Sequence, residues 1–235
     1  MRQYEARACA RAGLTVAVSE ADRALLAANA PGADIRAVGT GVDTAYFHPN
    51  GAVEAPATLV FTGSMDWYPN EDAILYFIAE ILPELRREVP GLSLAVVGRD
   101  PSEGLRTTCG AAGVHVTGTV ADIRPYVAEA AVYVVPLRIG GGTRLKIFEA
   151  LAMGKAVVAT RVGAEGLPIV SGQHFLQADS PAEFAQAVVT LLKDAGRRHA
   201  LGMAGRRLVE EQYSWMQVTR QFEAHCEEVV ARHAR

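Results

Sequence analysis

Short apolar runs alternate with amphipathic stretches of helical period along most of the chain. The apolar runs are rich in β-branched residues, as is typical of buried strands, and occur at 14–18, 58–62, 92–97, 114–117, from 132 onward, 156–160 and 174–178. The helical stretches predict helices at 4–12, 20–28, from Asn70, 102–112, 122–129, up to Gly154, 181–193, 196–212 and along 213–235. Ser19 is the predicted N-cap of the second helix.

This alternation predicts an α/β fold, with a Rossmann-like parallel sheet covered by helices on both faces. In such sheets ligands bind beyond the carboxyl ends of the strands. The loops at 63–69, 98–100, 118–120 and 140–143 each follow a predicted strand, so we expect them to meet at one edge. The strand at 14–18 has a following helix but no predicted partner strand, and one such unit cannot form a sheet by itself.

A glycine-rich turn precedes the helix that ends at Gly154. Gly140, Gly141 and Gly142 carry no side chain that would keep a ligand away, so the backbone there is able to approach an anion closely. Thr143 is the predicted N-cap of the helix, which presents free N–H groups and a partial positive charge behind it. Such a helix terminus binds phosphate readily.

Two cations and one acid follow in the same helix. Arg144 and Lys146 stand in the first turn, where the helix dipole favours acids, and this placement indicates a bound phosphate or diphosphate. Glu149 comes off a related side of the helix one turn later, where a carboxylate suits the hydroxyls of a ribose. Two plainer interpretations stay open: Glu149 pairs only with Lys146, or the glycine loop is only a tight turn.

The segment that contains these residues resembles a known family. It reads P-L-R-I-G-G-G-T-R-L-K-I-F-E-A-L-A-M-G-K-A-V-V-A-T and is similar to the donor-binding segment of glycosyltransferase family 4, whose members are retaining enzymes with the GT-B fold. The family signature is a pair of glutamates, and Glu149 matches the second, which the resemblance implies binds the donor ribose. Gly141 occupies the position of the first, as in a branch of the family with a glycine-rich P-L-x-x-G-x-G run.

The loop after the strand at 58–62 departs from the family pattern. Many members carry an arginine after the glycine and a lysine soon afterwards, which together clamp the diphosphate. Here Ser64 follows Gly63, and the next basic residue is Arg86. We therefore infer that Arg144 and Lys146 replace the clamp from the other loop and stabilise the charge of the leaving diphosphate.

Further donor contacts are expected along the same edge. Gly63 and Ser64 belong to the first loop, and Arg99 at the end of the next strand is a candidate donor contact, with a solvated side chain as the alternative. The resemblance implies that Val120 offers its backbone N–H and C=O to the nucleotide base. Trp67 and Tyr68 either line a sugar or acceptor pocket or cover the end of the core, and Glu165 is a weaker candidate for a sugar contact.

Charge and composition narrow the class of protein. The net charge of -3 and the isoelectric point near 6.1 argue against a nucleic-acid partner, and no apolar run is long enough to span a membrane. The N-terminal residues mix charges and do not form a signal peptide. The cysteines are far apart and the histidines show no metal spacing, so we expect neither disulfides nor a metal site. These features predict a cytoplasmic protein, or one held peripherally at the inner face of the membrane.

The resemblance, which covers 14–230, divides the chain into three parts. Residues 1–50 resemble the end of an N-terminal domain with the interdomain segment, 51–212 the nucleotide-sugar-binding Rossmann-like domain, and 213–235 a helix that crosses back. It implies that most of the N-terminal domain, with the acceptor pocket, is missing, so that this chain alone transfers little or no sugar. Residues 1–30 and the last helix would then expose a surface that we expect to self-associate.

The resemblance implies a function as well. The whole enzyme would transfer a hexosyl group from a UDP-, GDP- or ADP-sugar to a hydroxyl of a glycan or lipid-linked acceptor, with retention and with no cofactor, in polysaccharide or cell-surface glycan synthesis. A nucleotide-sugar epimerase-like enzyme and a non-catalytic sugar-nucleotide binding module stay open as alternatives. A dehydrogenase is less favoured, because no G-x-G-x-x-G follows the strand at 58–62.

Overall fold

The computed structural model describes residues 2–140 and 144–233. Its first four elements are α1 (Arg2–Arg11), β1 (Thr15–Ala17), α2 (Glu20–Asn29) and β2 (Ile35–Ala37). β1 and β2 pair in parallel and form a small two-stranded sheet. Ser19 caps α2 as predicted, since the backbone N–H of Asp22 donates to its Oγ over 3.1 Å.

A six-stranded parallel sheet forms the centre of the described chain. Its strands are β3 (Ala55–Thr62), β4 (Ser93–Val97), β5 (His115–Val116), β6 (Ala130–Val135), β7 (Ala156–Ala159) and β8 (Leu176–Gln177). Their order is β5-β4-β3-β6-β7-β8, so the direction of strand addition reverses between β3 and β6. This is the strand order of the doubly wound Rossmann sheet, in which the reversal point opens a ligand crevice. The predicted fold class is confirmed.

Helices cover both faces of this sheet. They are α3 (Tyr68–Tyr76), α4 (Leu82–Glu88), α5 (Glu103–Ala111), α6 (Arg124–Glu129), α7 (Leu145–Ala152), α8 (Pro181–Lys193) and α9 (Ala195–Leu208), with π-helical turns at Phe77–Ile81 and Val209–Tyr213. The last helix, α10 (Trp215–His233), follows the second of these turns. α3 begins at Tyr68 rather than at the predicted Asn70, because Pro69 fits the first helical turn.

The core lies on both faces of the central strands. Every residue of β6 is buried, which explains why its sequence is a continuous apolar run rather than an alternating one. The polar exception is Tyr133, whose hydroxyl forms a short hydrogen bond with Thr62 of β3. Because both side chains are buried, this bond ties the two strands together next to the reversal point.

β2 is an element that the sequence analysis did not predict. The expectation that the strand at 14–18 lacks a partner within the chain is wrong, because β2 pairs with it along its whole length. β2 escaped detection because it is three residues long and has Arg36 at its centre, so it carries no apolar run. Its apolar residue Ile35 is buried in a small cluster with Cys9 and Ala30.

α10 is joined to β2 by charged side chains. Arg36 donates to the two carboxylate oxygens of Glu228 over 2.5 and 3.0 Å, and Arg232 donates to Asp34 over 2.8 Å. Much of the apolar side of α10 is uncovered, since Trp215 is 60% and Val230 is 68% exposed. None of the described helices is both long enough and apolar enough to cross a membrane.

A partly buried ion cluster fastens the amino ends of three strands. Lys155, just before β7, donates to Glu54, just before β3, over 2.8 Å and to the carbonyl oxygens of Ala128 and Ala130 over 2.7 and 2.9 Å. Arg198 of α9 donates to the other oxygen of Glu54 over 3.0 Å. These charge pairs and main-chain hydrogen bonds therefore hold the amino ends of β3, β6 and β7 together.

Candidate functional site

A pocket of about 330 Å³ lies at the opposite, carboxyl end of the sheet. The loops after β3, β4 and β5 meet there with one side of α7. This agrees with the prediction that the loops at 63–69, 98–100 and 118–120 share one edge of the sheet. The predicted site residues that line it are Gly63, Ser64, Arg99, Val120, Lys146 and Glu149. The structure thus brings together side chains from four separate parts of the chain.

Two glycines allow the floor of this pocket to form. A Cβ atom on Gly98 would lie 1.7 Å from the carbonyl oxygen of Gly63, so these two loops touch backbone to backbone. A Cβ atom on Gly63 would lie 2.8 Å from both Asn70 Nδ2 and Lys146 Nζ. Because position 63 is a glycine, the Lys146 amine is able to lie directly against the loop that follows β3.

Lys146 is held in a largely apolar setting. Its Nζ donates to Asn70 Oδ1 over 2.7 Å and lies 4.2 Å from the centre of the Phe61 ring. Burial and then the charge of Arg144 lower the pKa of Lys146, Glu149 opposes them, and the resulting pKa is about 7. An amine in this state binds an anion with little competition from water.

Glu149 lies one helical turn after Lys146 and is half-buried at the pocket. Burial raises the pKa of its carboxyl group, and the nearby lysine lowers it. Lys146 donates to Asn70, and within the described residues no ion pair joins it to Glu149. The interpretation that Glu149 serves only as the ion-pair partner of Lys146 is therefore not favoured.

Arg144 is placed differently from the two other charged residues. Its side chain is buried rather than lining the pocket, and its Nε donates to the carbonyl oxygen of Val162 over 3.3 Å. The guanidinium covers Gly140, where a Cβ atom would come within 2.5 Å of it. Burial lowers the pKa of Arg144, and the charge of Glu165 opposes the shift.

The glycine loop itself is only partly described. Gly141, Gly142 and Thr143, three of the predicted donor-binding residues, lie outside the described residues. α7 begins at Leu145, and the N-cap position falls on Arg144 instead of the predicted Thr143, without a side-chain cap from Arg144. The contribution of this loop to anion binding remains a prediction.

The rim of the pocket carries a polar network. Arg99 Nε donates to Ser64 Oγ over 2.6 Å, and Ser64 Oγ donates to Asp66 over 2.5 Å. Ser64 and then Arg99 lower the pKa of Asp66. Arg99 is 62% exposed, so both alternatives for it, a donor contact and a solvated side chain, remain open.

The two aromatic residues of the first loop face solvent. Trp67 is 59% and Tyr68 is 64% exposed at the start of α3. The interpretation that they cover the end of the core is therefore wrong. Neither residue is part of the pocket lining, so a role toward an acceptor stays a prediction.

Asn70 and Phe61 are functional candidates that the sequence analysis missed. Asn70 was predicted only to start a helix, yet it is 6% exposed and its amide joins Ser64 to Lys146. Phe61 was predicted only as part of a strand. Asn70 follows Pro69 at the start of a helix, where a polar residue indicates capping. The same pattern does not show whether the side chain caps its own helix or contacts a residue of another helix.

A larger pocket, of about 490 Å³, opens elsewhere on α7. It lies between the carboxyl ends of β1 and β2 and the turn at 166–168, and Phe148 and Tyr213 stack beside it with ring centres 4.9 Å apart. None of the predicted donor-binding residues that the structure describes lines it. Within the described residues, no group of acidic, histidine and cysteine side chains is arranged to hold a metal ion.

The fold and the position of the smaller pocket define a Rossmann-like domain with its ligand crevice at the reversal point of the sheet. The family model of the glycosyl transferases group 1 matches residues 56–194, and the chain belongs to that family. The match begins within β3 and ends after α8. It therefore contains the loop at Gly63, the glycine loop at 140–142 and all of α7.

The relatives agree with this family. The chain is 32% identical over 210 residues to the GDP-mannose-dependent alpha-(1-6)-phosphatidylinositol monomannoside mannosyltransferase of Mycobacterium tuberculosis. The match covers 79% of this chain and 54% of the relative. The chain thus spans about half the length of the relatives that it matches.

Solved structures of glycosyltransferases share the fold. The sucrose-phosphate synthase of Thermosynechococcus elongatus superposes with a TM-score of 0.78 at 21% identity over 98% of this chain and 62% of that one. A glycosyltransferase of Rickettsia africae superposes with a TM-score of 0.79 at 16% identity over 97% of this chain and 66% of that one. The predicted family and the GT-B type of fold are confirmed.

Proposed function

We propose that this chain is the donor-binding part of a retaining glycosyltransferase and binds a nucleoside-diphosphate sugar in the smaller pocket. The observation that carries the proposal is the meeting of Gly63, Lys146 and Glu149 at the crevice of the sheet. A glycine floor, a half-buried amine and a carboxylate one turn away suit a loop-bound diphosphate and the hydroxyls of its ribose. Val120 lines the same pocket, where its backbone would meet the base.

In the proposed reaction the bond between the anomeric carbon and the diphosphate oxygen breaks, and the acceptor hydroxyl oxygen forms the new bond to that carbon. The proton of the hydroxyl group passes to the departing diphosphate. Negative charge develops on the departing diphosphate. Lys146, as an ammonium group, would stabilise this charge by a direct hydrogen bond, and Arg144 would add to the positive potential from behind the glycine loop. No metal ion or cofactor is needed for this stabilisation.

A guanine nucleotide is the first donor to test. The named mycobacterial relative is described as GDP-mannose-dependent and as a phosphatidylinositol monomannoside mannosyltransferase. By analogy we propose a hexosyl donor and a glycan or lipid-linked acceptor, with the protein in the cytoplasm or peripheral at the inner face of the membrane. We also propose that the 235-residue chain by itself binds donor but transfers little sugar, because the acceptor contacts would come from a second domain.

Calorimetric titration with GDP, UDP, ADP and their common sugar conjugates, in EDTA, tests the proposal. We expect one base to bind, and Lys146→Ala to weaken that binding about 10- to 150-fold, since a charge-assisted contact contributes about 1.5–3 kcal/mol. Lys193→Ala is the matched control, because that lysine pairs with Glu88 on the surface between α8 and α4. Equal binding by the wild type and Lys146→Ala would contradict the role of the lysine.

Self-association is the remaining proposal about partners. The exposed apolar residues of α10 include Trp215, Met216, Phe222 and Val230, which are 47–68% exposed. An uncovered apolar surface of this kind favours association. Sedimentation of the wild type should show concentration-dependent dimers that Phe222→Asp disperses; a monomer at all concentrations would contradict the proposal.

A further inference from the structure

The contacts of Lys146 come mainly from neutral groups. The Phe61 ring of β3 lies 4.2 Å from Nζ, and Asn70 of α3 accepts a hydrogen bond from it over 2.7 Å. Gly63 leaves the amine close to the loop backbone. A lysine that serves as a structural cation is usually paired with a carboxylate, as Lys155 is with Glu54 in this chain. Lys146 therefore has a setting that accommodates both an amine and an ammonium group.

Asn70 is fixed in the orientation that serves this lysine. Its Nδ2 donates to the carbonyl oxygen of Ser64 over 2.8 Å, and its backbone N–H donates to Trp67 over 2.8 Å. Because the amide nitrogen is engaged with a carbonyl group, the amide oxygen points to Lys146. The side chain is buried, so water competes little for either bond.

The charged groups around Lys146 are few in the described chain. Arg144 and Glu149 act on it from its own helix, α7, with opposite signs. Arg99 lines the same pocket but is held at the rim by Ser64, and the buried Tyr133 of β6 faces Glu149. With burial as the largest cause, the pKa of Lys146 is lowered to about 7, so both protonation states of the free site are populated near neutral pH.

We propose that Asn70 is a positioning residue that holds Lys146 ready to take up a proton when a diphosphate binds. The inference rests on the proposed function of the pocket. On binding, one proton moves from the acid form of the buffer to Nζ, and the resulting ammonium group donates to Asn70 Oδ1 and to a diphosphate oxygen. The arriving negative charge favours the protonated form, which the empty pocket holds only partly. Donor binding is thereby coupled to pH.

Calorimetry with GDP-mannose between about pH 6 and 8.5, in buffers of different ionisation enthalpy, counts the protons taken up. Both phosphates of this probe are esterified, so it lacks the phosphomonoester ionisation near pH 6. For the wild type we expect proton uptake that increases with pH, and an affinity that falls by up to about tenfold per pH unit above pH 7. Lys146→Arg, with a permanent charge, should bind with no uptake and a flat pH profile.

Two substitutions of Asn70 should shift the pH dependence of GDP-mannose affinity in opposite directions. Asn70→Asp places a carboxylate beside the amine and keeps it charged in the free protein, so uptake is lost below pH 8.5. Asn70→Ala removes the acceptor, so the fall in affinity begins at lower pH. A purely structural role for Asn70 would lower affinity in both variants while the number of protons taken up stays the same, and that result overturns the proposal.

An NMR titration of the Lys146 side chain in the free chain tests the same point without a ligand. The Lys146 pKa should lie near neutral pH in the wild type and rise in Asn70→Asp. The control Asn50→Asp, an exposed residue near the other end of the sheet, should leave it unchanged. If GDP-mannose does not bind the wild type, the proposed function fails for this donor. A Lys146 pKa near that of a solvated lysine, about 10.4, overturns the further proposal in either case.

Discussion

The Cβ position of Gly98 lies 1.7 Å from the carbonyl oxygen of Gly63, so the loops that follow β4 and β3 are in direct backbone contact. A side chain at position 98 would force the two loops apart and open the floor of the pocket. Gly98→Ala should therefore lower the free energy of unfolding by about 3 kcal/mol, because overpacking against backbone finds little relief. Urea denaturation measures the change.

Gly110 supplies the matched control for that substitution. It lies within α5, and a Cβ atom there would meet no atom within 4 Å. Gly110→Ala should raise the free energy of unfolding by about 0.5–1 kcal/mol, since alanine restricts the unfolded chain and suits a helix. Similar effects of the two substitutions would show that the contact between the loops is unimportant.

Glu149 should distinguish a ribose from its deoxygenated form. If its carboxylate accepts hydrogen bonds from the ribose diol, the wild type should bind GDP about tenfold or more tightly than the 2′,3′-dideoxy analogue. Glu149→Gln should lose most of this difference, because the charged acceptor is gone. Calorimetry of the wild type and Glu149→Gln, each with GDP and with the dideoxy analogue, gives the coupling energy between the carboxylate and the ribose hydroxyls. Glu80→Gln, at an exposed glutamate, is the control. Undiminished preference in Glu149→Gln would exclude the ribose contact.

Removing Glu54 should unbalance the ion cluster at the amino ends of the strands. Burial lowers the pKa of Lys155, and its bond to Glu54 opposes that shift. Glu54→Ala would leave Lys155 and Arg198 without their shared carboxylate and should cost about 3 kcal/mol of unfolding free energy at neutral pH. Glu88→Ala, which breaks an exposed pair with Lys193, should cost well under 1 kcal/mol by comparison.

The loss in Glu54→Ala should depend on pH in a defined direction. Without the carboxylate, the Lys155 pKa in the folded protein falls further below its unfolded value of about 10.4. Between these two values the unfolded chain binds more protons, so the free energy of unfolding rises with pH. Urea denaturation between neutral pH and about pH 10 should therefore show a steeper increase for the variant than for the wild type; parallel profiles would argue against the role of Glu54.

The contact between α10 and β2 should weaken in acid. Arg36, and then Arg232, lower the pKa of Glu228 to about 2. Because this value lies below the unfolded one of about 4.3, the contribution of Glu228 is complete above pH 4.3 and is lost as the pH falls toward 2. The protection factors for hydrogen exchange of 34–37 and of α10 should fall over this range in the wild type. Glu228→Gln should already exchange faster at neutral pH, whereas Glu223→Gln on the same helix should behave as the wild type does.

The sequence predicted the large sheet and its ligand edge because both depend on local patterns. Apolar runs and glycine turns reveal strands and the loops that follow them, and in a parallel sheet these loops meet at one edge whatever their sequences. β2 was missed because Arg36 interrupts a run of only three residues, and its stability comes from β1 and α10 rather than from its own pattern.

The interior of the site was less accessible to sequence analysis. The bond between Asn70 and Lys146 joins residues 76 positions apart, and the contact of Lys146 with Phe61 joins different elements of the fold. Local spacing contains no information about such pairs. The prediction also treated Arg144 and Lys146 as equivalent cations, whereas the structure turns Arg144 toward Val162 and Lys146 into the pocket.

The ion cluster of Glu54, Lys155 and Arg198 stands at the amino end of the sheet, and the smaller pocket stands at the carboxyl end. The charge pairs that fasten the strands and the residues that line the pocket therefore share strands but do not touch. Parts of the carboxyl-end loops outside the contact of Gly98 with Gly63 can be exchanged without disturbing either that contact or the charges that fasten the strands. If the proposed function holds, the domain is therefore a suitable scaffold on which donor preference is redesigned by replacing those parts while thermal stability is preserved.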